Sequence, residues 1–255
     1  MRAEGAWHAS AVRLRRFGGL LLALAVPLAG AAGAGEPPAD AAVLDAFAKI
    51  AFGNEFAAEP DPRLQKWTQP IRWRAYEYVP LAGEERDFLA RHIARLARLT
   101  GHGFSPAETW PEANFIVLFV AEERYAATIE RYLAPHRRHL LARHASTACL
   151  GLVRNHRSTF EIELAVVIIP VERARGRGLM NSCIAEETTQ ALGLLNDAEV
   201  PGTLFNDRGA ARDLTPLDEL LVRLLYYPRL KPGMRRHEAL AVAREVLPRI
   251  RAAAR

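Results

Sequence analysis

The run NFIVLFV at residues 114–120 leaves this chain few choices of fold. It has the length of one strand and does not alternate with polar residues, so both faces of that strand must be covered. The segments TACLGLVR (147–154) and FEIELAVVIIP (160–170) indicate two further strands, and IRWRAYEY (71–78) alternates as a half-buried strand does. About four clustered strands flanked by helices predict an α+β, or mixed α/β, fold in which a twisted sheet packs on helices.

The helices are predicted from the spacing of apolar residues along the sequence. Apolar residues recur at helical spacing in each of them, and Gly53 and Gly101 stand where the first two helices would end. The polar segment VERARGRG (171–178) is predicted to be a loop, and Asn181 or Ser182 would cap the helix after it. The predicted helical segments are 41–52, 82–101, 121–134, 183–192, 214–227 and 234–250.

Residues 1–34 are predicted to be an export signal rather than part of the fold. Arginines dominate their start, LLLALAVPLAG is an apolar run too short to span a bilayer, and AGA at 32–34 offers a cleavage site. The mature chain is therefore expected to be periplasmic or secreted, with no membrane-spanning segment. A retained anchor is the alternative, and both the general secretory and the twin-arginine routes are open.

One domain is expected after removal of residues 1–34. It comprises an N-terminal helix and loop (35–64), a central part (65–230) and a C-terminal amphipathic helix (231–255) packed on the same domain. The removed segment carries four arginines and one glutamate, so its loss lowers the formal net charge from +5 to +2. With so small a charge and no stacking aromatics beside the arginines, no nucleic-acid partner is expected.

Cys149 and Cys183 are the two cysteines of the chain. In an oxidising compartment an even pair is predicted to form a disulfide, whereas two buried thiols are the alternative. Closing a loop of this length would stabilise the fold by about 3–4 kcal/mol.

The stretch EETTQALGLLN, which starts at Glu186, has the spacing of a metal-binding helix. Glu186 and Gln190 would share one helical face, and a left-handed Gly193 would swing Asn196 back toward that face. Histidines in place of Glu186, Gln190 and Asn196 would give H-E-x-x-H-x-x-G-x-x-H, the zinc signature of the metzincin peptidases. Glu187 stands where that signature has its catalytic base.

Later segments resemble the same peptidases. TLFN (203–206) stands where matrixin-like metzincins have a turn that contains methionine, with Phe205 in place of the methionine. LTPLDELLVRLLY resembles the helix that follows this turn in that group, Asp218 and Tyr226 included. The resemblance covers residues 65–230 and implies a zincin-like fold with a degenerate active-site helix.

A closer resemblance is to an uncharacterised family of exported bacterial proteins with the pattern C-I-x-E-E-x-T-Q-x-L-G-L-x-N-D, which residues 183–197 fit. Cys149 resembles the upstream cysteine of that family. Membership implies a shared zincin-like fold but no reaction, because the family is a domain of unknown function.

The available ligands disfavour zinc. Zinc sites are built from His, Cys and carboxylate, whereas these positions supply one carboxylate and two neutral amides. No cofactor is expected; calcium is the alternative, because it prefers oxygen ligands and Asp197 and Asp207 would add charge nearby. Without a metal-bound water to activate, Glu187 has no acid–base task.

These residues together predict a non-catalytic protein that binds a peptide or an envelope protein in a former substrate cleft. Two alternatives stay open. One is a peptidase-like hydrolase that uses Glu187 with an unusual metal site. The other is a purely structural envelope protein, in which EETTQ is the ordinary surface of an amphipathic helix.

Overall fold

The computed structural model describes residues 38–53, 62–133, 135–206 and 208–253. For residues 135–137 it describes the backbone but not the side chains. The predicted export signal (1–34) and Asp207 lie outside the described residues.

The sheet has five strands. They are β1 (Ile71–Glu77), β2 (Phe104–Pro106), β3 (Phe115–Val120), β4 (Leu150–Asn155) and β5 (Ile162–Pro170). Their order is β2-β1-β3-β5-β4, and every neighbouring pair is parallel except β4 and β5, which are antiparallel. The mixed α/β prediction is confirmed. The additional strand is β2, whose three residues are too few to show a period.

The described residues form eight α-helices. They are α1 (Asp40–Ala51), α2 (Gly83–Thr100), α3 (Tyr125–Tyr132), α4 (Leu141–Ser146), α5 (Val171–Gly176), α6 (Met180–Gln190), α7 (Pro216–Leu225) and α8 (Arg236–Ala253). The C-terminal helix α8 packs against α1 and α7. Within the described part of the chain, no helix combines the length and the apolar character that a bilayer crossing requires.

Two local predictions are wrong. The segment predicted to be a loop at 171–178 forms α5, because Val171 and Ala174 are buried three residues apart and the arginines between and after them bind distant glutamates. The helix α6 begins at Met180 without a side-chain cap. Neither Asn181 nor Ser182 caps it, because both lie inside the helix, which has Leu179 at its N-cap position.

The two faces of the sheet bury separate cores, which explains why the central runs do not alternate. In β3, Phe115, Val117 and Phe119 contribute to the larger core, which also contains residues of α1, α2, α6, α7 and α8. Ile116 and Leu118 face the other way, into a smaller core with residues of α3. Every residue of β3 is buried as a result.

The disulfide predicted from the cysteine count is present. Cys149, directly before β4, is bonded to Cys183 of α6, and their Cα atoms are 5.8 Å apart. Both residues are buried. The bond therefore fastens the edge strand β4 to the helix that carries the EETTQ motif.

Replacing both cysteines, as Cys149→Ala/Cys183→Ala, is expected to lower the free energy of unfolding. The bond spans 34 residues, and a loop of that size restricts the unfolded chain by about 3–4 kcal/mol. Urea unfolding of the oxidised protein, the reduced protein and the double variant measures the effect. The reduced protein should resemble the double variant, and equal midpoints for all three would contradict the prediction.

Candidate functional site

The EETTQ segment is not a water-facing helical surface. Glu187, Thr188, Thr189 and Gln190 are all buried and Glu186 is half-buried, because α6 packs against α2, α5, β4 and β5. The two threonine hydroxyls donate to the carbonyls of Ile184 and Ala185 one turn earlier, each at 2.6 Å. The segment is therefore not the ordinary surface of an amphipathic helix.

The side chain of Glu187, a residue of α6, packs against the edge strand β4. Only 8% of it is exposed, and a Cβ atom added to Gly151 of β4 would lie 2.9 Å from its Oε2 atom. The missing side chain at Gly151 therefore lets the strand rest directly on the helix. Burial raises the pKa of the nearby Tyr125, and the carboxylate of Glu187 adds to the rise.

Gln190 and Asn196, the two amide residues of the zinc-like spacing, form hydrogen bonds within the protein. The Nε2 atom of Gln190 donates to Oδ1 of Asp197. The side chain of Asn196 donates to the carbonyl of Lys49 at 3.1 Å, and its backbone N–H donates to the carbonyl of Ile50. Since these carbonyls end α1, Asn196 acts as a cap for that helix.

Gly53 is the residue that makes room for this cap. A Cβ atom at Gly53 would lie 2.2 Å from the Nδ2 atom of Asn196. The structure therefore directs the Asn196 amide to the end of α1, whereas Glu186 and Gln190 lie one turn apart on α6.

Gly193 adopts the positive φ that the spacing predicts, with a value of 119°. The reason is a close approach by the preceding part of the chain, because a Cβ atom here would lie 2.0 Å from the carbonyl oxygen of Gln65. The neighbouring Trp67 donates from Nε1 to the carbonyl of Ala191 at 2.9 Å. Tyr226, named by the resemblance, donates to the carbonyl of Leu192 at 3.1 Å.

Phe205 and Asp218 hold the turn that follows. Phe205 is fully buried, and its carbonyl accepts from the N–H of Ala198 at 2.8 Å. Asp218, also fully buried, accepts from the N–H groups of Leu204 and Thr215 and from the Thr215 hydroxyl. Burial raises the pKa of Asp218 to about 6, although these hydrogen bonds partly offset the rise.

His92 of α2 is a site residue that the sequence pattern does not indicate. Its Nε2 atom is 3.3 Å from the hydroxyl of Thr189, and its Nδ1 atom is 3.8 Å from Oδ1 of Asp213. Hydroxyl, imidazole and carboxylate follow one another as in serine hydrolases. Thr189 is fully buried, however, and its hydroxyl donates to the Ala185 carbonyl, so no substrate reaches it.

The contacts of His92 with Thr189 and Asp213 instead connect three parts of the fold: α2, α6 and the loop before α7. Burial lowers the pKa of His92, which favours the neutral ring. Arg95 binds Asp213 at 3.2 Å and Glu219 of α7 at 2.8 Å, which fastens both the loop and α7 to α2. His92 is hard to recognise in the sequence because it lies on the apolar face of α2, next to Ile93 and Leu96.

A zinc site does not fit these residues. The Gln190 and Asn196 amides already donate within the protein, and amide side chains are poor zinc ligands in any case. Among the described residues, no three His, Cys, Asp or Glu side chains cluster in a way that could hold a metal ion. Glu186 and Gln190 share a helix, but the structure does not complete a ligand set around them.

Comparison with known proteins identifies one family. A family model described as "Protein of unknown function (DUF2927)" matches residues 40–245. No curated protein and no solved structure matches the chain.

The substitution Gly193→Ala is expected to destabilise the fold. A Cβ atom would meet the Gln65 carbonyl at 2.0 Å on a backbone with φ of 119°, so overpacking and backbone strain should together cost about 2–5 kcal/mol. Gly176→Ala is the matched control, because nothing lies within 4 Å of its added Cβ atom. Urea unfolding compares the two, and equal stabilities would contradict the close approach.

The raised pKa of Asp218, about 6 against an ordinary 3.8, predicts a pH dependence of stability. Because the carboxyl of Asp218 binds its proton more tightly in the folded state than in the unfolded state, the contribution of Asp218 to the free energy of unfolding should fall as pH rises from about 4 to 6. Asp218→Asn should remove a decrease on the order of 3 kcal/mol from that profile.

Glu77→Gln serves as the control for this profile. The hydrogen bond from Arg86 lowers the pKa of Glu77. Its contribution is therefore constant above its ordinary pKa of 4.5 and is lost only as pH falls below it. Urea unfolding from pH 5 to 7 should show an unchanged slope for Glu77→Gln. An unchanged slope for Asp218→Asn would show that Asp218 does not titrate in this range.

Proposed function

The chain belongs to the DUF2927 family of proteins of unknown function, and we propose that it is an exported, zincin-like protein that binds an extended peptide without hydrolysing it. The binding place is the outer edge of β4, the strand that lies on α6. The observation that carries this proposal is the contrast between the two edges of the sheet.

The edge formed by β2 is protected, and the edge formed by β4 is open. The strand β2 has three residues and ends at Pro106, two features that discourage further pairing. The strand β4 has six residues, Leu150–Asn155, without a proline. Among the described residues, no strand pairs with its outer edge. An extended peptide could add to such an edge through main-chain hydrogen bonds.

The same edge is held rigidly, which favours binding. The Cys149–Cys183 bond fastens the start of β4 to α6, and Gly151 rests against Glu187. A strand fixed in this way loses little conformational entropy when a partner pairs with it. Glu187 lies on the helix beneath the strand, where its negative charge favours a peptide with basic side chains.

The hydrogen bonds of the Gln190 and Asn196 side chains support a non-catalytic role. Gln190 bonds Asp197 and Asn196 bonds α1, so these two positions serve the fold rather than a metal. The layout of the sheet, with a helix under an antiparallel edge strand, is compatible with the zincin-like resemblance. The export pattern in residues 1–34 and the disulfide support an oxidising location outside the cytoplasm.

A hydrolase is the second candidate, because Glu187 stays at the position of a catalytic base and lies next to the open edge. A purely structural role is the third. The three are separable in one experiment, because they predict different fates for a peptide at β4.

The experiment uses the protein without residues 1–34 and a displayed library of linear peptides. A selected peptide should slow hydrogen exchange of the amides at 150–155, while those at 104–106 serve as an internal control. Mass spectrometry should recover the peptide intact after prolonged incubation, and elemental analysis should find no stoichiometric divalent metal.

Two results would overturn the proposal. Cleavage of the peptide by the protein, lost in Glu187→Gln, would establish the hydrolase. Failure to select any peptide that protects 150–155 would leave the structural role.

A further inference from the structure

A cleft that is distinct from the β4 edge opens beside the N-terminal end of α6. Its volume is 490 Å³, and it lies between the first half of α2 and the turn that joins α5 to α6. The charged residues that line it are Glu84, Glu85, Arg91, Arg175 and Arg212. Three arginines in one cleft of this size indicate a site for an anion.

One of the three arginines is already neutralised. Arg175 donates to both carboxylate oxygens of Glu85, at 2.9 and 2.7 Å, and to the carbonyl of Pro80. The same contact lowers the pKa of Glu85. This pair therefore forms a fixed wall of the cleft and contributes little net charge.

The other two guanidinium groups are available to a ligand. Within the described ranges, no acceptor contacts Arg91, and the only acceptor that Arg212 contacts is the carbonyl of its neighbour Ala211. Glu84 is the opposing charge, but it lies in the first turn of α2, where the helix dipole favours a carboxylate. The cleft as a whole keeps a positive potential.

The start of α6 adds to that potential. Met180 and Asn181 line the cleft, and α6 begins there without a side-chain cap. The first N–H groups of this eleven-residue helix, which carry a partial positive charge, therefore lie at the border of the cleft. This contribution strengthens the site that the arginines define.

The cleft also has an apolar part. Phe88 lines the cleft, half-buried, and its ring stacks on His92 with centroids 6.0 Å apart and planes 8° apart. Met180 is buried beside it. The Phe88 ring, stacked on the buried His92, therefore offers a flat apolar surface to a ligand.

We propose that this cleft binds a small organic oxyanion, a carboxylate or phosphate ester carried on a flat apolar body. Arg91 and Arg212 bind the oxyanion, the start of α6 faces it, and Phe88 and Met180 cover the apolar part. The site goes beyond the proposed peptide-binding function and shares no lining residue with β4.

Phenyl phosphate and benzoate are the probes, because each joins an oxyanion to a flat ring. Titration calorimetry at low ionic strength should show saturable binding of one or both to the protein without residues 1–34. Phenol, which lacks the charge, should not bind, and inorganic phosphate should bind more weakly. Binding should weaken as salt is added, because the guanidinium groups are exposed.

Arg91→Glu and Arg212→Glu should each weaken binding of the better probe about tenfold or more, since each removes a charge-assisted contact. Arg98→Glu is the matched control, because Arg98 is exposed on the same helix two turns away and does not line the cleft. Thermal unfolding checks that all three variants fold. Equal affinities in all variants, or no saturable binding of either probe, would overturn the proposal.

Discussion

The buried carbonyl groups that end α6 and α7 are the constraint on which this structure depends. Unpaired carbonyls in a core cost free energy, so each must find a donor. Trp67 and Tyr226 supply donors to the end of α6, and Lys66 donates to the carbonyls of Leu225 and Leu230, at 3.0 and 2.9 Å. Burial lowers the pKa of Lys66 to about 8, and Lys231 adds to the decrease.

These contacts explain why the motif has the residues it has. The chain near Gln65 must pass close to α6, and only glycine at 193 allows that approach. Asn196 then reaches the end of α1, and Asp218 organises the turn after it. The spacing that resembles a zinc signature thus also serves a helix ending, a cap and a turn. The fold can keep this spacing without a metal, because each position is stabilised by contacts within the protein.

The sequence was informative wherever a local pattern carried the structure, and uninformative where a distant partner did. The runs that form β3 and β5 are buried on both faces, and Gly193 needs its positive φ, so both were predictable. The helix α5 was missed because its arginines bind glutamates 51 and 90 residues away. Asn196 was misplaced because its acceptor, Lys49, is 147 residues distant. The role of His92 depends on Thr189 and Asp213, which no period within α2 could indicate.

The large sequence separation between Lys66 and its acceptors has a consequence for when the chain can fold during synthesis. Its acceptors lie 159 and 164 residues further along, and a ribosome that adds about 5–20 residues per second needs roughly 8–30 s to make them. Until residue 230 has been made, Lys66 lacks both acceptors and the end of α7 lacks this donor. This part of the core can therefore close only after synthesis has passed residue 230, and contacts of such long range slow folding.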